Sequence, residues 1–349
     1  MTDRLEREET APPTTDGARP GSGPSAGWLR RLPQAESSSV LAALVVLVVL
    51  IGVLQPGFFN PAQLRDVLQG SIYVALAAAG MCFLLSMREI DLSVGANFAL
   101  SLIAAALLMR SGLNPWLAVV AGVALGALMG LVNALIVQVV AIPAIVATLA
   151  TMQVFRGLAL ALADGQQVTG LPLDDSFFTV VGGTALGLPA GVWVLIAVAA
   201  VLTVVLRLTP FGYRVRSIGS NPEAATYSGI SIARTRMAVL VLVGALAGLA
   251  GALGLAFFTS GDPNVGAGLE LQAIAAAVIG GTPLRGGSAT VFGAVFGAIL
   301  LGVVASGLVY FDIPANWSSF ASGTVVLLAV AVDSLLRSRR RARRNEFGL

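Results

Sequence analysis

The stretch RMAVLVLVGALAGLAGALGLAFF, residues 236–258, decides the class of this protein. After Arg236 it carries no charge to its end. At 1.5 Å per helical residue, about 20 such residues cross the ~30 Å hydrocarbon core of a bilayer. Working outward in both directions gives nine further runs: 37–54, 66–87, 92–109, 115–138, 143–162, 189–208, 269–284, 288–310 and 317–336. The runs 92–109 and 269–284 are the shortest or most interrupted. The pattern predicts an all-α protein, a polytopic membrane bundle of about ten transmembrane helices. The bulk composition agrees. Of 349 residues, 56% are hydrophobic and 11% charged, too little charge to keep a soluble chain of this length dispersed.

Absences exclude several functions. There is no His, hence no imidazole catalysis and no His-ligated metal. All 21 basic residues are Arg. Without a Lys to reach the β- and γ-phosphates there is no standard P-loop, so any ATP chemistry must sit on another polypeptide. The single cysteine, Cys82, lies in an apolar run and reads as a packed thiol. No convergent carboxylate pair is visible, so no catalytic residue and no metal site are assigned, and the chain does not read as an enzyme. The net charge of +3 comes from Arg at span edges and in the tail, which is a topology signal and not a nucleic-acid surface.

An even number of spans puts both termini on one side. With the N-terminus inside, eighteen Arg fall on the inner side, including Arg88, Arg214, Arg216, Arg234, Arg236 and the six from Arg337 to Arg344. Only Arg65, Arg110 and Arg156 fall outside. This distribution predicts a multi-pass protein of a bacterial inner membrane with both termini cytoplasmic. Residues 1–36 read as a disordered cytoplasmic tail, 37–336 as the transmembrane domain, and 337–349 as a basic cytoplasmic tail beside anionic lipids. Arg30-Arg31 introduces an uncleaved first span and not a secretion signal.

Three helices should begin alike. Asn60-Pro61, Asn114-Pro115 and Asn221-Pro222 each place a capping side chain before a proline that has no N–H to lose. Gln63 stands where a capping box would use it. Small residues recur at four-residue spacing, as Gly122, Gly126 and Gly130, as Gly244 and Gly248, and as Gly293 and Gly297. Such stripes let helix backbones approach closely. The fourth and ninth spans resemble each other, which suggests an inverted repeat of spans 2–5 with spans 7–10.

Two links interrupt the pattern, Arg88–Ala96 and Gly280–Ser288. Each is a short loop in water or a broken helix that lines a path. On the second reading Asp91, Ser93, Gly95, Gly280, Gly281 and Thr282 are candidate path or gate residues. Polar side chains inside spans add Asn97, Asn133, Thr148, Thr151 and Gln153, which either bond helix to helix or face a solute. Arg156 and Glu270 are expected near the outer surface.

The longest inner loop, 209–235, centres on Gly219-Ser220-Asn221-Pro222-Glu223-Ala224-Ala225-Thr226-Tyr227-Ser228-Gly229. Asn221 caps, Pro222 starts, Glu223 sits in the first turn where the helix dipole favours an anion, and Gly229 terminates. The result is a helix of about two turns, too short to stand alone, so a partner must supply packing.

Glu223-Ala224-Ala225 followed by Gly229 resembles the E-A-A-x-x-x-G loop of ABC importer permeases. Taken with Ile90-Asp91-Leu92-Ser93-Val94-Gly95 and Ile279-Gly280-Gly281-Thr282, in this order, the chain from about 40 to 335 resembles the ribose/xylose-type sugar permeases, a branch of the group that includes branched-chain amino acid permeases. One departure is Arg88-Glu89, where that family usually has small residues; these two are expected to form a surface ion pair. The resemblance implies that Gly219, Asn221, Pro222, Glu223, Ala224, Ala225 and Gly229 dock into an ABC ATPase subunit. It also implies an extracytoplasmic solute-binding protein, which the loop at 163–188 is long enough to touch, and a second permease copy, identical or not. This chain would bind no cofactor, ATP and Mg belonging to the ATPase. The solute implied is a monosaccharide such as ribose or xylose. A nucleoside, a branched-chain amino acid, or ion-coupled transport using Glu89 or Asp91 are the alternatives.

Overall fold

The computed structural model describes residues 34–311 together with 317, 320, 323, 324 and 327. Those from Ala35 onward belong to one compact unit. Residues 1–33 of the expected N-terminal tail (1–36), the expected C-terminal tail 337–349 and most of the tenth span lie outside the described residues.

Twelve helices are described. They are α1 Gln34–Leu54, α2 Pro61–Ser86, α3 Val94–Arg110, α4 Pro115–Val139, α5 Ala144–Leu162, α6 Ser176–Val181, α7 Ala190–Leu208, α8 Pro210–Ser220, α9 Pro222–Tyr227, α10 Ile232–Phe258, α11 Leu269–Ile279 and α12 Val291–Tyr310. Six of them, α2, α4, α5, α7, α10 and α12, are long and apolar enough to cross a membrane; α3, α11 and most of α1 are shorter apolar helices. The tail boundary expected at residue 36 falls inside α1. The loop 163–188 contains α6 and leads into a small hairpin, β1 Thr184–Ala185 paired with β2 Leu188–Pro189 through Leu186-Gly187, both at positive φ.

The expected proline-led starts hold. Asn60 Oδ1 accepts from Ala62 N at 3.0 Å, Asn114 Oδ1 from Trp116 N at 3.0 Å and Asn221 Oδ1 from Ala224 N at 3.1 Å. Gln63 does not complete a capping box. Its Nε2 donates to Ser306 Oγ on α12, 2.6 Å away.

α2 and α10 form the centre. α2 is buried along nearly all of its length, while α4, α5 and α7 are buried on one face and turn Val120, Val146, Val201 and Leu208 outward. Outward apolar side chains are what a lipid-facing surface requires. The glycine stripes sit where helices touch most closely. A Cβ on Gly130 would lie 2.2 Å from Leu240 O, and one on Gly244 2.3 Å from Gly126 O, so α4 and α10 meet backbone to backbone. Gly297 meets α11 in the same way, with Ala276 O 2.2 Å from its would-be Cβ.

The packing is reciprocal. α4 runs antiparallel along α10, and α12 antiparallel along α2, joined by the Gln63–Ser306 bond and by Gly302 against Ser71. α3 lies beside α10, where Gly251 and Gly254 receive Phe98; α11 lies beside α2. α3 pairs with α4, as α11 does with α12. The N-terminal turns of α3 and α11 approach each other. A Cβ on Gly95 would meet Gly266 O at 2.2 Å and Glu270 Oε2 at 2.5 Å.

Arg156 lies within α5 and Glu270 in the first turn of α11. Segment 259–268 dips into the bundle, and Arg156 Nη1 holds it by donating to Pro263 O at 2.9 Å and Val265 O at 2.7 Å.

Candidate functional site

The segment between α7 and α10 folds as two helices, not one loop. Thr209 Oγ1 accepts from Gly212 N at 3.3 Å and Pro210 starts the 11-residue α8. Val215, Ile218 and Gly219 turn inward, and Arg214 outward. Asn221 ends α8 and caps the six-residue α9. The end of α9 is a Schellman motif. Gly229 has φ 79, its N–H donates to Thr226 O at 2.9 Å, and Ile230 N–H donates to Ala225 O at 3.0 Å. Ala225 is 4% exposed and packs into the bundle, whereas Glu223, Ala224 and Tyr227 face out, Tyr227 at 92%. A helix this short is not self-supporting. It is held by its cap, its glycine stop and one inward alanine, and it offers an exposed carboxylate, a methyl and a phenol ring.

The end of α8, which runs directly into α9, is tied to both interrupted links. Gly219 lies so close to the end of α2 that a Cβ on it would be 1.6 Å from Ser86 O and 2.7 Å from Gly287 N. Ser86 O accepts from Gly287 N at 2.9 Å, which brings the second link to the same point. Gly286 and Gly287 have φ 74 and 85, values only glycine adopts freely. Arg88, itself at φ 64, donates from Nη2 to Ser220 O at 2.9 Å. Glu89 pairs not with Arg88 but with Arg236 at the start of α10. Burial pushes the Glu89 carboxyl above the usual carboxylate range, and the charge and hydrogen bond of Arg236 pull against it. Sequence reading missed Ser86 and Ser220. Their contacts are made by backbone carbonyls, which no residue pattern announces.

The first link carries a buried polar seam. Asp91 Oδ1 accepts from Ser93 N and Ser93 Oγ, both at 2.7 Å. Asn133 Nδ2 donates to Ser93 Oγ at 2.7 Å, and Thr151 Oγ1 to Asn133 Oδ1 at 2.6 Å. Leu92 N donates to Thr148 Oγ1 at 3.1 Å. Asn97 Nδ2 donates to Gly126 O at 3.1 Å. Burial raises the Asp91 carboxyl, and the donors of Ser93 and Asn133 oppose that rise. Asp91, Ser93, Asn97, Asn133, Thr148 and Thr151 are thus brought together between α3, α4 and α5, buried and bonded to one another or to backbone. Gln153 is apart from them, exposed on the outer face of α5. Gly95 is at the helix crossing.

In the second link, Thr290 Oγ1 donates to Gly280 O at 2.6 Å, and Thr290 N to Thr282 Oγ1 at 3.3 Å. Cys82 Sγ lies 3.3 Å from Thr282 Oγ1, hydrogen-bonded to it. Gly281, at φ 93, makes the turn. Gly280, Gly281 and Thr282 close this turn tightly against α12, where a Cβ on Gly280 would be 2.3 Å from the Gly293 carbonyl carbon.

Residues 63–330 match the family described as branched-chain amino acid transport system / permease component. The chain is 37% identical to the ribose import permease protein RbsC of Bacillus subtilis (strain 168), over 83% of this chain and 90% of the relative. It is 31% identical to the L-arabinose ABC transporter permease protein AraH of Azospirillum brasilense, over 98% and 99%. It is 32% identical to the D-allose transport system permease protein AlsC of Escherichia coli (strain K12), over 84% and 90%. No solved structure matches the chain.

Proposed function

The chain belongs to the branched-chain amino acid transport system / permease component family, and from that premise we propose that it is the membrane-spanning subunit of an ATP-driven importer of a monosaccharide. The relatives named for ribose, L-arabinose and D-allose point to a pentose or hexose. The observation that carries the mechanism is α9, a capped helix whose exposed face displays Glu223, Ala224 and Tyr227 and which follows directly on the end of α8 that packs against Ser86 and Gly287. An ATPase subunit grips that exposed face. Its closure moves α8 and α9, and the Gly219–Ser86–Gly287 contact passes the movement to the ends of α2 and of the 280–290 turn. ATP and Mg stay on the ATPase. A solute-binding protein delivers sugar at the opposite end, and a second permease copy completes the passage.

In this reading the α9 end is cytoplasmic, as the Arg distribution favours. The reciprocal packing of α2, α3 and α4 with α10, α11 and α12 supports an inverted repeat. Its symmetry would bring the two short helices α3 and α11 nose to nose, the arrangement expected of discontinuous helices flanking a transport site. Asp91, Asn133 and Thr151 then hold the first repeat together while α9 moves it as a unit.

Reconstitution tests this. The chain is placed in proteoliposomes with its ATPase and binding protein, and uptake of labelled pentoses and hexoses is followed. Uptake that requires internal ATP and the binding protein is expected. Uptake by this chain alone under a pH gradient would overturn the reading.

A further inference from the structure

The chain between α5 and α7 changes character at α6. Asp174 and Asp175 close its polar part, and Asp175 caps α6, its Oδ1 accepting from Phe177 N at 2.8 Å. From Ser176 to Leu206, through α6, the hairpin and nearly all of α7, no residue is charged. Two indoles fix the depth of this stretch. Trp116, in the first turn of α4, donates from Nε1 to Ser176 Oγ at 3.0 Å. Trp193, in the first turn of α7, donates from Nε1 to Ala185 O at 2.9 Å. Tryptophan at the end of a span sits at headgroup level, with its ring in apolar surroundings and its N–H bonded. The start of α6 and the hairpin are therefore level with the first turns of two spans, at the end of α7 remote from α9.

The tip of the hairpin carries an unexpected residue. Leu186 and Gly187 form the turn between β1 and β2 at φ 52 and 80. A two-residue turn with both φ values positive favours Asn, Asp or Gly at its first position, because a Cβ there crowds the backbone. Leucine stands there instead, 90% exposed. In water such a leucine brings strain and no burial. Among acyl chains the same side chain leaves water, which offsets the strain. Exposed apolar side chains precede it at Val180 on α6 and follow it along α7 at Ile196, Val201 and Val204.

We propose that the β1–β2 hairpin is a lipid-inserted anchor, with Leu186 seated just below the headgroups of the leaflet at that end of the bundle. The anchor steadies more than itself. Val168, earlier in the same loop, exchanges backbone bonds of 2.7 and 2.9 Å with Gly261, which ties the loop to segment 259–268. A water-soluble binding protein is left with the part of the loop ahead of Ser176, where Asp164 and Asp174 are exposed. This inference goes beyond the transport reading and holds whichever solute the chain carries.

Fluorescence quenching tests it on the full chain in lipid nanodiscs, where both faces of the bilayer meet buffer. Cys82 is fully buried, so an added cysteine carries the dye alone. A bimane is placed at Leu186→Cys, at Asp174→Cys ahead of the charge-free stretch, and at Val201→Cys on the outward apolar face of α7. Ions are excluded from hydrocarbon, so iodide is expected to quench Leu186→Cys at least about fivefold less than Asp174→Cys. A phosphatidylcholine with a doxyl group high on its acyl chain is expected to quench Leu186→Cys and Val201→Cys and to spare Asp174→Cys. Equal iodide quenching at Leu186→Cys and Asp174→Cys would overturn the proposal. So would protection that appears only when a solute-binding protein is added, which would make the tip a docking surface. Protection from both quenchers would place the tip against another protein copy and overturn it as well. Should Leu186→Cys not accumulate, Ala185→Cys, exposed on β1, carries the same measurement.

Discussion

Replacing Gly219 with alanine adds one methyl at the tightest point between α8 and α2. That methyl would sit 1.6 Å from Ser86 O and 2.7 Å from Gly287 N. Both neighbours are backbone, so neither can rotate aside. α8 must back away, or the Gly287 N–Ser86 O bond at 2.9 Å must open. Overpacking costs about 1–3 kcal/mol and a lost hydrogen bond about 0.5–1.5 kcal/mol, so about 2–4 kcal/mol falls on the packed arrangement. A state in which α9 has already swung away does not bear it. Each 1.4 kcal/mol is about a factor of ten in population, so the balance shifts away from the packed state by tenfold or more. The assay is ATP hydrolysis and sugar uptake measured together in proteoliposomes. Gly219→Ala is expected to raise hydrolysis in the absence of loaded binding protein and to lower sugar moved per ATP. The control Ser220→Ala, which keeps the carbonyl that Arg88 uses, is expected to stay near the parent. Normal coupling and normal thermal stability in Gly219→Ala would refute the account of this contact.

Other perturbations follow the same logic. Asn133→Ala removes the amide that bonds both Thr151 and Ser93 and should lower stability by about 1–3 kcal/mol, read as an earlier loss of the monodisperse peak on heating in detergent. Gly130→Leu forces α4 off α10, where Leu240 O leaves no room for a Cβ, and should cost about 3 kcal/mol or prevent accumulation; Gly157→Leu, with open space at its Cβ, should accumulate normally. The Glu89 carboxyl is raised in the folded state, so its contribution is fully present below the unfolded value of about 4.3 and is lost as pH rises through the folded value. The melting temperature of the parent relative to Glu89→Gln should therefore fall as pH increases from that point; a pH-independent difference would contradict the burial of this carboxyl.

How much of this was legible in the sequence depends on range. The three Asn-Pro caps and the Gly229 stop are local physics within one turn of helix, and residue order alone exposed them. The glycine stripes announced close packing, but not that Gly126 and Gly130 would face Gly244 and Leu240. Gln63 shows a local rule losing to a tertiary one, since its amide is used by Ser306, 243 residues away. Ala225 belongs to the motif that suggested a docking face, yet it packs inward, because six residues of helix have two sides and the motif does not say which is which. Segment 259–268 is held by Arg156, which donates to the carbonyls of Pro263 and Val265, a pairing no spacing predicts.

The most direct test of the account is to place a photoreactive side chain at Tyr227, 92% exposed on α9, and irradiate the complex while it is hydrolysing ATP and accumulating sugar. Capture of the ATPase subunit at Tyr227, with none at the buried Ala225, is the predicted result. A complex that pumps at full rate and yields no crosslink from Tyr227 would contradict the claim that α9 is where the motor holds this protein.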